Sequence, residues 1–305
     1  MTDRYTIENN TCTVFFEKAG ELTKKRADLI LNLPCVTECD SVDVFVGVLV
    51  TDIKMDAFWY CKNLTSIDIQ GTITNISDWA FNSCCKLKNV SLPDSITKIG
   101  DNAFENCTAL SHIVLPRKLH EIGSWAFANC PNITNVNLPK ELENIGSWAF
   151  SDCTGLTSVN IPEDVSLFDC SAFSGCTNLT YVTVDENHPD LRSVDGNLYS
   201  KDATELIMYA KGKREASFLV PDGVSHIGRL AFHNCIFLEK ITLGDYATEI
   251  DLSAFMGCDN LTSILVKDGN CSFKSVNGNL YTKDGSALVL KAPGKDKKLK
   301  KQRKP

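Results

Sequence analysis

The sequence has no apolar run long enough to span a bilayer. Its most hydrophobic window, Val42 to Val50, carries Asp43 and falls far short of the roughly 20 residues that a membrane helix needs. The first fifteen residues, MTDRYTIENNTCTVF, lack the basic start and apolar stretch of a secretory signal. The expected location is therefore the cytoplasm, with surface exposure left to a route that uses no signal peptide. A Gly-rich phosphate loop and a paired metal-binding histidine motif are also missing. No two short-spaced cysteine pairs lie near one another, as a zinc site requires. The five histidines (His112, His120, His188, His226, His233) suggest no Ser/His/Asp or Cys/His set. Together these absences argue against an enzyme and imply no cofactor and no metal.

Charge is unevenly placed. The chain of 305 residues carries a net charge of −7, yet seven basic residues and one acid, Asp296, lie between Lys295 and Pro305. Without that tail the body carries about −13, which disfavours non-specific binding to nucleic acid or anionic lipid. Nucleic acid is expected, if at all, only through the tail, which basic composition alone leaves as a solvated end.

What the chain does have is a period. The pair Ala-Phe occurs eight times, starting at Ala57, Ala80, Ala103, Ala126, Ala149, Ala172, Ala231 and Ala254, in steps of 23 but for one interval of 59. A fixed period of this size marks a solenoid of stacked coils. Alternating residues such as Val44/Val46, Ile67/Ile69, Val90/Leu92, Ile113/Leu115, Val136/Leu138, Val159/Ile161 and Val182/Val184 predict one short half-buried strand per coil. Pro93, Pro116, Pro139 and Pro162 mark strand exits. Gly100, Gly123 and Gly146 then suit a turn, and Asp78, Asp101, Ser124 and Ser147 stand where N-caps of a single helical turn belong. Eight cysteines (Cys61, Cys84, Cys107, Cys130, Cys153, Cys176, Cys235, Cys258) share one repeat position. They read as small buried core residues; bridges between rungs are disfavoured because parallel side chains give poor disulfide geometry.

Four segments follow from the pattern. Residues 1–40 break the period and read as an irregular amino-terminal cap, with strands in Tyr5–Phe16 and a helix over Glu17–Leu31. Residues 41–291 form the solenoid. The matched stretches SVDGNLYSKDATELIMYAKGK and SVNGNLYTKDGSALVLKAPGK place β-hairpins at about 191–217 and 273–291, each in place of one Ala-Phe turn. Residues 292–305 form a basic, disordered tail.

The pattern AFxxCxxLxxIxLPxxLxxIGxx, from about Ser41 to Lys291, resembles the BspA-like class of leucine-rich repeats. The resemblance implies a leucine-rich-repeat solenoid: a β-rich α/β right-handed superhelix, curved, with short helical turns and two interrupting β-hairpins. Members of that class include surface proteins, some resembling adhesins that bind host proteins, and they share no catalytic residues. The outward strand positions are polar and mostly uncharged, and suit a face that binds a protein or glycan. Asp68, Ser91, His112, Asn135, Asn137, Asn160, Tyr181 and Thr183 are the candidates there, and Trp79, Trp125 and Trp148 form a second column open to stacking. The expected function is a non-enzymatic protein-binding scaffold. An adhesin-like surface protein and an architectural fragment of a longer array are the alternatives.

Overall fold

The computed structural model describes residues 2–295, which divide after Cys176 into two compact units. It is a β-solenoid of about ten turns with little helix, as the period predicts. Of the segment expected as a basic tail, residues 296–305 lie outside the described residues, while Ala292 is buried and its N–H donates to Asn279.

In the first unit each coil has three sides. One side carries β1 (Arg4–Glu8), β2 (Thr11–Phe16), β4 (Ser41–Val46), β6 (Leu64–Ile69) and β8 (Asn89–Ser91) in that order, with β12 (Ser158–Ile161) further along the chain. β1 turns back antiparallel on β2, and the rest pair in parallel, Val44 opposite Ile67 and Ile67 opposite Val90. A second side is one seven-stranded parallel ladder: β3 (Gly20–Leu22), β5 (Val50–Ile53), β7 (Asn75–Ile76), β9 (Lys98–Ile99), β10 (Glu121–Ile122), β11 (Asn144–Ile145) and β13 (Leu167–Phe168). The third side is the column of Ala-Phe turns.

The amino-terminal segment is more regular than its composition suggests. β2 lies in register with β4, and β3 pairs with β5, so both belong to the stacked ladders. The helix expected over Glu17–Leu31 is confined to α1 (Lys24–Leu31), because Gly20 and Leu22 are already used by β3. Thr23 caps α1 by accepting from the Arg26 N–H, and Asn32 ends it. Pro34 opens the short α2 (Pro34–Thr37). The strands expected at Ile113/Leu115 and Val136/Leu138 do not form; the chain there has no regular ladder. Those coils are hydrogen-bonded along their other two sides, and burial of Ile113, Leu115 and Val136 holds the third in place.

The turns are not helical. Trp79, Asn102, Trp125 and Trp148 have φ of 57–61°, and Ser83, Asn106, Asn129 and Asp152 repeat this four residues on. Alternate N–H groups therefore leave the turn and donate to the next coil: Trp79 to Asp101 O, Phe81 to Ala103 O, Ser83 to Glu105 O, all within 2.7–2.9 Å. The expected caps act between coils for the same reason. Asp78 accepts from the Asp101 N–H and Asp101 from the Ser124 N–H, at 2.8 and 2.7 Å. Gly146 is needed for close approach: a Cβ there would lie 2.6 Å from the Ser124 nitrogen.

The core is a stack of rings. Phe58, Phe81, Phe104, Phe127, Phe150 and Phe173 lie face to face at 5.1–5.4 Å, all fully buried. Beneath them the cysteine column has a hydrogen-bonding role as well as a packing one. Six thiols of the column donate to the Phe carbonyl of the preceding coil, among them Cys107 to Phe81, Cys130 to Phe104 and Cys153 to Phe127, these three at 3.2 Å. The Phe81 and Phe104 carbonyls already accept the backbone N–H three residues on, so there the thiol satisfies a second lone pair that burial would leave empty. Burial pushes the Cys130 thiol up to about 12.

In the second unit, β14 (Tyr181–Val184) is followed by β15 (Leu191–Val194), β16 (Asn197–Ser200) and β17 (Glu205–Met208). β15–β16–β17 is antiparallel, and β17 then joins β19 (His226–Ile227) and β21 (Glu249–Ile250) in parallel. The hairpin is an insertion, not a replacement. Met208 and Tyr209 take the Ala-Phe positions: the Tyr209 N–H donates to Ala231 O, and its ring meets Phe232 at 5.4 Å. β18 (Ser217–Leu219), β20 (Lys240–Leu243) and β22 (Ser263–Val266) form a parallel sheet. The antiparallel β23 (Phe273–Val276), β24 (Asn279–Thr282) and β25 (Leu288–Leu290) repeat the device, with Asn279 bonding Ala292 as Asn197 bonds Ala210.

Candidate functional site

Three of the predicted face residues meet in the first unit. Asp68, Ser91 and His112 line a shallow depression of about 370 Å3 with Ser66, Asn89 and Val90. The parallel register explains it, since Ser66 faces Asn89 and Asp68 faces Ser91 across β6 and β8. Asp43 fixes the floor by accepting from Thr65 and Ser66 at 2.9 and 2.5 Å. Asp68 accepts from Gln70 at 3.1 Å. Ser91 and His112 are exposed, and among the described residues their side chains have no hydrogen-bond partner within the chain. Asn135 and Asn137 share both properties further along the face, and Asn160 is exposed on β12.

Tyr181 and Thr183 belong to the second unit. They line a separate cleft of about 440 Å3 with Glu186, Arg192 and Lys201, made by the inserted hairpin folding beside β14. The Val182 N–H donates to Gly196 O, and the Tyr181 ring lies where any side chain at position 196 would stand. Period and alternation placed Tyr181 on the face; the hairpin that walls it carries charges that no repeat pattern announces.

The tryptophans lie on the turn side, apart from the strand face. Trp125 and Trp148 stack at 5.3 Å, while Trp79 borders an open cleft of about 330 Å3 with Met55, Asp56 and Trp59. Met55 and Asp56 were not foreseen, because each fills its repeat position only once. Trp79, Trp125 and Trp148 adopt the left-handed region that an L residue enters at a cost of about 1–2 kcal/mol. Asp56 and Asn102 hold the same turn position with residues suited to it.

Among the described residues no group of three or more His, Cys, Asp or Glu stands close enough to hold a metal ion, and no helix is long and apolar enough to cross a membrane.

Stacked coils with two strand sides, one turn side and an apolar interior define a leucine-rich-repeat solenoid. The profile of the BspA type leucine rich repeat region matches residues 51–180 and 209–287 in six copies, and the chain belongs to that family. Among solved structures it is similar to a leucine rich cell surface protein from Faecalibacterium prausnitzii. Identity is 26%, over 86% of this chain and 74% of that one, with a TM-score of 0.67. It is also similar to the pneumococcal vaccine antigen PcpA, at 25% identity, over 87% and 69% of the two chains, with a TM-score of 0.67. A leucine-rich repeat protein from Bacteroides ovatus shares the fold at 22% identity and a TM-score of 0.56, over 87% and 69%. No curated protein matches the sequence.

Proposed function

We propose that the chain is a non-enzymatic protein-binding scaffold that receives an extended partner segment along the strand face of its first unit. One observation carries the reading. Ser91, His112, Asn135 and Asn137 are exposed on successive coils, and among the described residues their side chains make no hydrogen bond within the chain, while Ile113 and Val136 beside them are core. Polar groups held by a buried neighbour lose little freedom on docking, which favours binding through many weak contacts. The experiment is partner capture from native lysate, comparing the wild type with a Ser91→Lys, Asn135→Lys, Asn137→Lys triple variant. The expected result is loss of specifically captured protein with an unchanged unfolding midpoint. Capture of the same proteins by both would refute the strand-face reading.

A second reading, display at a cell surface in an adhesin-like role, is supported by the likeness to the cell surface protein of F. prausnitzii. Protease treatment of intact cells tests it: a chain that is fully protected is not displayed.

A further inference from the structure

The column of turns in the first unit has a direction. Every backbone–backbone bond between turns runs from an N–H of the earlier coil to a carbonyl of the later one: Asp56 to Asp78, Phe58 to Ala80, Tyr60 to Asn82, and so on through Phe127 to Ala149. The first turn of the column therefore presents carbonyls that no earlier turn can satisfy, because the preceding chain is α1. Among the described residues no backbone N–H donates to the carbonyls of Met55 or Ala57. The third, Trp59 O, accepts from the Lys24 ammonium at 3.2 Å. Aligned peptide dipoles leave partial negative charge at such an end, as at a helix carboxy terminus. An ammonium already docks there.

The turn-side cleft lies on the first two turns of the column. Trp59 and Trp79, 47% and 40% exposed, border it with Met55, and Asp56 contributes a carboxylate with no ion-pair partner among the described residues. Nearby cations are engaged elsewhere. Lys24 pairs with Asp28, Lys54 with Glu21 and Asp52, and Lys62 lies 4.6 Å over the Tyr60 ring. Indole faces attract cations through their quadrupole, most strongly when a ligand brings a delocalised guanidinium. Backbone strain is stored beside the same cleft. Trp79 holds a left-handed conformation that Asn102 meets more readily at the same turn position, and strain kept against an easier residue clusters at ligand sites.

We infer that the Met55–Asp56–Trp59–Trp79 cleft, on the first two turns of the column, is a binding site for an arginine or lysine side chain of a partner polypeptide. The acidic body of the chain, about −13 without its tail, suits a basic partner. This site is on another side of the coil from the strand face and stands or falls independently of it.

The test is an NMR titration of the full chain, following the four indole N–H signals. Acetyl-arginine amide is the probe, with the uncharged acetyl-citrulline amide and N-acetylglucosamine as comparators. The expected result is saturable shifts of the Trp59 and Trp79 signals with arginine alone, and none at Trp125 or Trp148. Trp79→Asn, which places at 79 the residue found at 102, should fold normally and weaken binding about three- to fivefold. Asp56→Asn should weaken it about two- to fivefold, with salt reducing the wild-type affinity. Equal shifts with citrulline, a response to the sugar in place of arginine, movement of all four indoles, or unchanged affinity in Trp79→Asn would each overturn the assignment.

Discussion

Replacing Phe127 with alanine removes a ring stacked on both faces, 5.3 Å from Phe104 and 5.2 Å from Phe150, and fully buried. Withdrawing its apolar surface costs about 3 kcal/mol. Each lost ring stack adds about 1 kcal/mol, so the expected total is about 5 kcal/mol, at the top of the range for such truncations. Phe127→Leu keeps most of the volume and should cost only about 1.5 kcal/mol. Because the rung lies in mid-column, each neighbouring coil loses its interface on that side, and the Ala variant should unfold with reduced cooperativity. The assay is equilibrium unfolding in urea, followed by far-UV circular dichroism, with midpoint and slope both fitted. A Phe127→Ala loss within about 0.5 kcal/mol, the size of a surface change, would refute the stacked-rung account. So would equal losses for the Ala and Leu variants.

Other expectations follow from the same geometry. Trp125→Asn should leave the melting temperature unchanged or raise it, since relief of a left-handed tryptophan worth about 1–2 kcal/mol offsets the lost stack on Trp148; a fall of several degrees would show the stack to dominate. Cys130→Ala removes the thiol donor to Phe104 O and should destabilise by about 1–2 kcal/mol in the same urea assay. The raised thiols also set a pH dependence. Above the ordinary thiol value of 9.0 the unfolded chain ionises, while Cys130 stays protonated to about 12. The folded state then binds more protons, so this contribution is complete below pH 9 and declines as pH rises through that window; Cys130→Ala should show a shallower decline in its urea midpoint. Gly146→Ala, which puts a Cβ 2.6 Å from the Ser124 nitrogen, should cost about 1–3 kcal/mol by overpacking, read as a lowered urea midpoint.

Much of the fold could be read in advance because each coil repeats one solution. The Ala-Phe period located the ring stack, and the alternation at Ile67/Ile69 and Val159/Ile161 located β6 and β12. Polar-apolar patterning fails where backbone geometry decides. Asp78 looks like a helix cap in sequence, yet the left-handed Trp79 sends the next N–H groups out to another coil. Met208-Tyr209 stood in for Ala-Phe without sharing a letter with it, which hid the true length of the insertion. For the candidate sites, Asp68 and Ser91 were legible because they share the fixed register of β6 and β8, and His112 because it keeps the repeat position next to them. Asp56 was not: its importance comes from being first in a directional column, a property of the stack and not of its own repeat.

β1 gives the amino-terminal end a consequence of its own. A sheet whose inner neighbours all run the same way would offer its outermost strand as a template for the next molecule. Here that strand runs the other way, exposed at every residue, with Arg4 over the Phe15 ring at 4.1 Å and paired to Glu17. A second copy arriving in the orientation of the internal coils would meet hydrogen-bonding groups in the wrong spacing and a charge at the rim. Fibre growth from this end is thus discouraged by a single reversal of chain direction, made before the first repeat begins.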